Sequence, residues 1–194
     1  MRGMRHLLLL VCLAGCAPAA TFQPPNPAAS GPPVATNADL VPTGKFLFYE
    51  DFENGTEKWE LPATGWQLLN AYSCGGKFTM LLPDTGRPGE SYFTLRAPLD
   101  LGKLVKPLLK YDVKGLTTPE DATVIQAEVR PPGQDWRPLG HDARGNHAFA
   151  AAVVADLKPY AGQTVGLRFH GTTKAGQADT KGMYLDDVGV IEPD

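Results

Sequence analysis

The sequence predicts an all-β domain, an antiparallel sandwich or barrel, over residues 45–194. Two observations support this prediction. Short runs rich in β-branched and aromatic residues recur along this part of the chain, and turn segments such as PDTGRPGE, RPPGQD and HDARGN separate them. Neither an internal repeat nor a long amphipathic helical pattern interrupts them. Several short strands at near-regular spacing are typical of antiparallel sandwiches and barrels.

The amino-terminal residues have the pattern of an export signal. Arg2 and Arg5 precede a short apolar run, residues 7–13, and small residues follow that run. A membrane-spanning helix needs about 20 apolar residues, so this run is too short to span a bilayer. A basic start, a short apolar stretch and small residues before a break are typical of a secretory signal. We therefore expect residues 1–15 to be a signal peptide.

The four residues that end at Cys16, LAGC, resemble the lipobox of bacterial lipoproteins. The resemblance implies cleavage before Cys16, a diacylglycerol on its thiol and a fatty acid such as palmitate on its new amino terminus. Two or more acyl chains suffice for stable anchoring, since each buried methylene contributes about 0.8 kcal/mol. Ala17 follows, and because it is not an aspartate, the enteric sorting rule favours the outer membrane or cell surface in a host with two membranes. The alternative is an ordinary secreted protein whose signal happens to contain a cysteine.

Residues 16–44 are rich in Pro, Ala, Ser and Thr and carry Asp39 as their only charge. A segment so poor in apolar bulk cannot offset its ordering entropy, so we expect a flexible, proline-rich tether. Residues 45–194 then form one domain of ordinary size. Its one cysteine is Cys74, so an internal disulfide is excluded, and the core or a metal ion must supply the stability of this exported domain.

The charge and the motifs exclude several functions. The formal net charge is −3 at pH 7, which argues against a basic nucleic-acid surface. The segment GESYF approaches a nucleophile-elbow pattern around Ser91 but has Phe93 where that pattern needs glycine. An HExxH motif is absent from the sequence. We therefore predict that the protein is not an enzyme.

Alternation is clearest in two segments, QTVGLRFHG and ATVIQAEVRP. Because successive side chains of a strand point to opposite faces, each segment has an apolar face and a polar face. The apolar faces are Val165, Leu167 and Phe169 in the first and Ile125, Ala127 and Val129 in the second. The polar faces are Thr164, Gly166, Arg168 and His170 in the first and Gln126, Glu128 and Arg130 in the second.

Residues 147–162, HAFAAAVVADLKPYAG, allow two interpretations. The spacing of Phe149, Val153 and Leu157 fits a short helix that Pro159 and Gly162 would end. We favour a strand over residues 149–154 followed by a helical turn at DLKPYAG.

Several motifs, in this order, resemble the MAM-like and immune-inhibitor-A-like modules of secreted bacterial proteins. The motifs are FYEDFENGTEKW, APLDLGKLVKPLLKYDV, DWRPLG, ADLKPYAGQTVGLRFHGTT and KGMYLDDVGVI, and the resemblance spans essentially all of residues 45–191. These modules belong to the broad galactose-binding and concanavalin-type sandwich class. The resemblance implies a jelly-roll fold of two packed antiparallel sheets, with the first and last strands as neighbours.

The acidic residues of the first and last motifs suggest a cation site. Asp51 and Glu53 share one face of a strand while Phe52 points to the other, and the resemblance brings Asp186 and Asp187 close to them. Such carboxylates repel one another unless a cation lies among them, and oxygen ligands suit Ca²⁺. The resemblance also implies a structural cation in this region. The alternative is a set of solvated or hydrogen-bonded edge carboxylates. Two adjacent aspartates cannot both point inward in a regular strand, so one is exposed or a bulge accommodates it.

Aromatic residues near predicted loops are the candidate ligand contacts: Trp66, Tyr72, Tyr92 and Trp136. Sugar-binding sandwiches use exposed aromatic faces beside polar groups. Packing in the core or at an edge is the alternative, and the resemblance implies it for Trp59 and Trp136.

The sequence therefore predicts a non-catalytic binding module tethered to the cell envelope, which recognises an envelope or extracellular glycan. The alternative is a structural or protein-interaction lipoprotein of an envelope assembly or adhesion system. A third possibility is a divergent enzyme that acts on an envelope polymer. Fold alone does not decide among them.

Overall fold

The computed structural model describes residues 44–70, 76–116, 121–175 and 182–194. The signal peptide, Cys16, most of the tether, Tyr72 and Cys74 lie outside these ranges. Within them the chain forms thirteen strands and one 3₁₀ turn, which confirms the all-β prediction. A helix long and apolar enough to cross a membrane is not found in the described ranges.

The elements follow one another with short connections. In chain order they are β1 (Gly44–Glu50), β2 (Trp59–Glu60), β3 (Gln67–Leu69), β4 (Thr79–Leu82), β5 (Gly89–Leu95), β6 (Leu99–Asp100), β7 (Leu108–Leu116), β8 (Thr123–Arg130), β9 (Arg137–Pro138), β10 (Ala143–Arg144), β11 (Asn146–Asp156), the 3₁₀ turn (Lys158–Tyr160), β12 (Thr164–Thr173) and β13 (Met183–Pro193).

The strands pair into two antiparallel sheets that form a sandwich. The first sheet has the order β11-β7-β13-β4-β3, and β1 also pairs with β13. The second sheet has the order β10-β8-β12-β5-β2, with β6 beside β12 and β9 beside β8. Phe46 lies opposite Ile191 and Glu50 opposite Val188, so the first and last described strands are neighbours, as the resemblance implied.

Both predicted apolar faces lie in the core between the sheets. Val165, Leu167 and Phe169 of β12 are fully buried, and so are the corresponding residues of β8. At the centre is an inner aromatic stack, which comprises Phe52, Trp59, Trp66, Phe93 and Phe169. The rings of Trp59 and Phe93 are parallel to within 13° at a centroid distance of 4.3 Å. Aromatic pairs of this kind contribute about 0.5–1.5 kcal/mol beyond their buried area.

The strand interpretation of residues 149–154 is confirmed, because they lie inside β11. The chain then leaves the sheet through the 3₁₀ turn, in which the N–H of Lys158 donates to Oδ1 of Asp156 at 2.7 Å. Pro159 fits near the start of this turn, where its missing N–H is not needed. Gly162 has a φ of +81°, a conformation that glycine adopts without strain.

The paired aspartates near the carboxyl end are accommodated by a β-bulge. The register of β13 on β7 shifts between Asp186 and Gly189, and Asp187 has a φ of 49°. Aspartate is among the residues that tolerate this left-handed conformation. The bulge was one of the two arrangements that the sequence allowed.

Candidate functional site

The four carboxylates proposed as calcium ligands lie on two neighbouring segments. Asp51 and Glu53 follow the end of β1, so they lie in a loop and not on a strand as expected, and Asp186 and Asp187 lie in β13, which pairs with β1. We call this region the acidic corner; its members are Asp51, Glu53, Asp186 and Asp187. Oε1 of Glu53 accepts the N–H groups of Lys77 at 2.5 Å and of Phe78 at 2.7 Å. Oδ1 of Asp51 accepts the N–H of Glu53 at 3.2 Å. Asp51 therefore stabilises the turn that follows it, and Glu53 links this turn to the segment that precedes β4.

The two aspartates of the bulge also have partners within the chain. Asp186 is fully buried, and its Oδ1 accepts the N–H of Asp187 at 2.9 Å. Oδ1 of Asp187 accepts a hydrogen bond from the hydroxyl of Tyr49. Partial burial, this hydrogen bond and the surrounding carboxylates raise the pKa of Tyr49, so its hydroxyl remains a donor at neutral pH.

A carboxyl group of β7 adjoins the acidic corner. Nζ of Lys110 lies 3.0 Å from Oδ2 of Asp112. Burial raises the pKa of Asp112, Lys110 opposes that rise, and Asp187 adds to it. In the part of the chain that the structure describes, no group of three or more His, Cys, Asp or Glu side chains is arranged to hold a metal ion. The arrangement gives the calcium site no support, and that site stays a prediction.

The outward face of the second sheet carries a line of stacked planar side chains. We call it the outer row; in spatial order its members are Arg130, Trp136, Arg168, Tyr92 and His170. Cζ of Arg130 lies 4.7 Å from the centroid of the Trp136 ring. Cζ of Arg168 lies 4.4 Å from that centroid and 4.1 Å from the Tyr92 centroid. Tyr92 and His170 are stacked at 4.6 Å. Cations therefore alternate with rings, and each such contact contributes about 0.5–1 kcal/mol at an exposed site.

Strand register assembles the outer row. His170 of β12 lies opposite Tyr92 of β5. Trp136 comes from the connection between β8 and β9, and its ring packs over Gly166 of β12. A Cβ atom on Gly166 would lie 3.1 Å from Cη2 of this ring. The glycine therefore leaves the space in which the tryptophan ring lies.

A buried carboxylate holds the middle of the row in place. Glu128 of β8 is 8% exposed, and it accepts a hydrogen bond from Nε of Arg168 at 2.5 Å. Its other oxygen lies 3.3 Å from Nδ1 of His170. The Tyr92 hydroxyl donates to Oε2 of Glu90 at 3.1 Å, and burial together with this bond raises the pKa of Tyr92.

Only part of the predicted aromatic set reaches this face. Tyr92 is 37% exposed and Trp136 is half-buried. Trp66, by contrast, is 2% exposed and belongs to the inner stack, and its Nε1 donates to the carbonyl of Ser91 at 3.3 Å. The ring of Trp66 is thus not presented to a ligand, which corrects its place among the candidate contacts. Trp59 also packs in the core, in line with the resemblance.

A cavity of about 430 Å³ opens beside the Arg130 end of the outer row. Its lining includes Arg130, Gln134, Thr164 and Gly166, together with the proline-rich turn after β8. The cavity is large enough for a sugar-sized group, since ligand pockets commonly measure about 300–1,000 Å³.

Sequence reasoning did not single out the charged members of this site. Arg130, Glu128, Arg168 and His170 all lie on the polar faces that strand alternation predicted. The signal was therefore present, since polar residues that alternate with core residues on two strands must share an outward face once those strands pair.

Comparison with known proteins identifies the fold. No family profile and no curated protein sequence matches the chain. Solved structures do. A family 61 carbohydrate-binding module in complex with β-1,4-galactotriose is 13% identical, with a TM-score of 0.53, and the match covers 73% of this chain and 94% of that one. The family 22 xylan-binding domain of Xyn10C from Paenibacillus barcinonensis is also 13% identical, with a TM-score of 0.52 and coverage of 78% and 96%.

An exo-β-agarase shares the same fold over a smaller part of its length. The identity is 9%, the TM-score is 0.56, and the match covers 77% of this chain and 26% of the agarase chain. At such identities the similarity establishes the fold. The described domain is a jelly-roll β-sandwich similar to carbohydrate-binding modules, some of which are domains of enzymes.

Proposed function

We propose that this domain is a non-catalytic glycan-binding module and that the outer row is its binding surface. The observation that carries the proposal is the position of Tyr92 and Trp136 on either side of Arg168, on the outward face of one sheet. The similarity in fold to carbohydrate-binding modules supports it.

The chemistry of the outer row suits a sugar. Each sugar ring has apolar C–H faces and polar hydroxyls at its edge, so it needs apolar aromatic surface beside hydrogen-bonding groups. Tyr92 lies between Arg168 and His170, so it offers its exposed ring edge and its hydroxyl. Arg168 supplies N–H donors and Glu90 supplies carboxylate acceptors within reach of the same ring. Because Glu128 fixes Arg168, little side-chain entropy is lost when a ligand binds.

Binding to insoluble polysaccharide from the cell envelope and the surroundings of the host tests the proposal. We expect Tyr92→Ala to weaken retention about tenfold, equivalent to about 1.4 kcal/mol. The matched control is Phe46→Ala, because Phe46 is an exposed aromatic residue, 48% accessible, on β1 of the first sheet. Equal retention of the Tyr92→Ala variant and the unaltered protein would show that the outer row is not the binding surface.

A protein partner is the second candidate function, and β1 is the observation that favours it. This strand exposes Phe46, Leu47 and Tyr49 by 48%, 45% and 44%. It borders a cavity of about 370 Å³ that Leu47 and Phe48 help to line. Exposed apolar residues on a strand at a sheet edge are typical of sites where another chain adds. If this candidate is correct, Leu47→Asp abolishes capture of an envelope protein while Tyr92→Ala leaves it unchanged.

We further propose that lipidated Cys16 tethers the domain to the outer membrane or cell surface. The support comes from the LAGC sequence and the signal pattern of residues 1–15. Cys16→Ser should move the protein from the detergent phase to the aqueous phase, since the acyl chains supply the anchoring energy. Cys74→Ser is the control and should leave the partitioning unchanged. A Cys16→Ser variant that stays in the detergent phase would remove the support for lipidation.

A further inference from the structure

We infer that the glycan is anionic, and that the cavity beside Arg130 binds a carboxylate or sulfate group on one of its sugar rings. The inference rests on the proposed function, since it assigns a substrate class to the same surface. It adds a subsite of defined charge at one end of the outer row.

The two arginines of the outer row differ in their ion-pair partners. Nε of Arg168 is held by Glu128 at 2.5 Å. Arg130 stacks on Trp136 and lines the cavity, and it has no ion-pair partner within the described ranges of the chain. An exposed guanidinium that an aromatic ring positions, and that no carboxylate neutralises, is ready to bind an anion.

The rest of the cavity lining supplies hydrogen-bond donors and walls of restricted mobility. Gln134 and Thr164 contribute an amide and a hydroxyl, both of which donate hydrogen bonds. Gly166 lacks a side chain, so that part of the wall stays open. Pro131 and Pro132 have fixed φ angles, which restrict the motion of the rim. The cavity therefore offers donors around a defined space.

The nearby acidic groups Asp100 and Asp135 lie outside the cavity lining. Asp100 of β6 lies opposite Thr164 of β12, and its Oδ1 already accepts the N–H of Gly102 at 2.9 Å. Asp135 directly precedes Trp136 in the chain. Neither aspartate is among the residues that line the cavity, so Arg130 is the only charged residue among the described residues of the lining.

Oxyanions with two accessible oxygens match the geometry of an arginine. A guanidinium presents N–H groups in a fork that binds a carboxylate through two parallel hydrogen bonds, and such charge-assisted bonds are about twice as strong as neutral ones. A uronic acid supplies a carboxylate, and a sulfated sugar supplies a sulfate ester. Either group on a glycan that contacts the exposed part of Trp136 places an anion at the Arg130 end.

Two pairs of polymers that differ only in charge test the inference on the purified protein. The first pair is polygalacturonate and its fully methyl-esterified form, and the second is a sulfated galactan and the same galactan without sulfate. We expect one charged polymer to bind about tenfold more tightly than its neutral counterpart at equal salt. The preference should fall as salt rises. The pair that shows the preference identifies carboxylate or sulfate as the recognised group.

The deciding variant is Arg130→Gln, which should abolish the preference for the charged polymer over its neutral counterpart. Arg137→Gln removes the same charge from an exposed arginine outside the cavity lining and should preserve the preference. Equal loss in both variants would show attraction by overall charge and would overturn the assignment of the cavity.

The remaining outcomes separate this inference from the glycan proposal. Equal, Tyr92-dependent binding of the charged and neutral polymers overturns the inference and leaves the glycan proposal standing. Binding to none of the four polymers also overturns it. The retention of the Tyr92→Ala variant on envelope polysaccharide then decides the glycan proposal independently.

Discussion

The two faces of the second sheet differ in how they use planar side chains, although the same strands supply both. On β5, Phe93 points inward to the inner stack and Tyr92 points outward to the outer row. On β12, Phe169 and Arg168 divide in the same way. In the inner stack, aromatic rings pack on one another and are buried. In the outer row, arginine side chains lie between the rings, and the row is partly exposed to solvent. The difference indicates that the core and the outward face of this sheet depend on alternate residues and can be changed separately.

The largest effect on the free energy of unfolding is expected in the inner aromatic stack. Trp59→Ala should lower the free energy of unfolding by about 3–5 kcal/mol, because it removes a fully buried ring that stacks on Phe93 at 4.3 Å. Urea unfolding measures this loss, and the folded fraction should keep its affinity for glycan. Trp59→Phe is the control and should cost much less, since Nε1 of Trp59 has no hydrogen-bond partner within the described residues. Equal losses in the two variants would contradict the stacking argument.

An intermediate effect is expected at the residue that links the interior to the outer row. Glu128→Gln should cost about 1.5–3 kcal/mol of stability, because charge-assisted bonds to Arg168 and His170 are weakened. It should also weaken glycan binding, since Arg168 is then less fixed. Glu90→Gln, at a side chain that is 63% exposed, should change stability by less than about 0.5 kcal/mol. Lost stability with full glycan affinity would show that the outer row does not depend on Glu128.

The smallest effect is expected at the acidic corner, with the opposite sign. Burial raises the pKa of Asp112, and Asp187 adds to the rise. A carboxyl group with a raised folded-state pKa contributes stability that is complete below its unfolded pKa, near 3.8, and is lost as pH rises through the folded value. Asp187→Asn removes the contribution of the Asp187 charge to the raised pKa of Asp112, so less stability is lost as the pH rises. It should therefore stabilise the protein by less than about 1 kcal/mol near neutral pH. Below pH 3.8 the gain should vanish, and melting curves across this range measure it.

The calcium prediction requires the reverse result at the same position. If a cation joins the first and last strands, a chelator should lower the melting temperature by several degrees, and Asp187→Asn should mimic the chelator. Melting curves of the unaltered protein and the variant, with and without chelator, distinguish the two accounts. A stabilised Asp187→Asn variant and an unchanged melting temperature with chelator would contradict the calcium prediction.

Alternation along the chain was enough to predict which residues of β8 and β12 enter the core. It also indicated that the adjacent aspartates need a bulge or exposure, because the side-chain period of a strand permits nothing else. The neighbouring positions of β1 and β13 followed from the resemblance to jelly-roll modules.

Long-range register was the part that one sequence could not supply. Arg168 contacts Glu128 across 40 positions of the chain, and nothing local to either residue encodes that pairing. Trp66 was expected near a ligand because a loop precedes it. Instead, its Nε1 donates a buried hydrogen bond to the carbonyl of Ser91, 25 positions away. Tertiary contacts of this kind decide whether an aromatic residue binds a ligand or packs.

The position of β13 has a consequence for the order of assembly in time. This strand follows every other described strand in the chain, yet it lies in the middle of the first sheet and pairs with β1, β4 and β7. The first sheet therefore cannot close before β13 has been synthesised. Until β13 arrives, β4 and β7 have unpaired edges, which are prone to aggregation. The described strands that precede β13 therefore stay exposed to aggregation until β13 pairs with them.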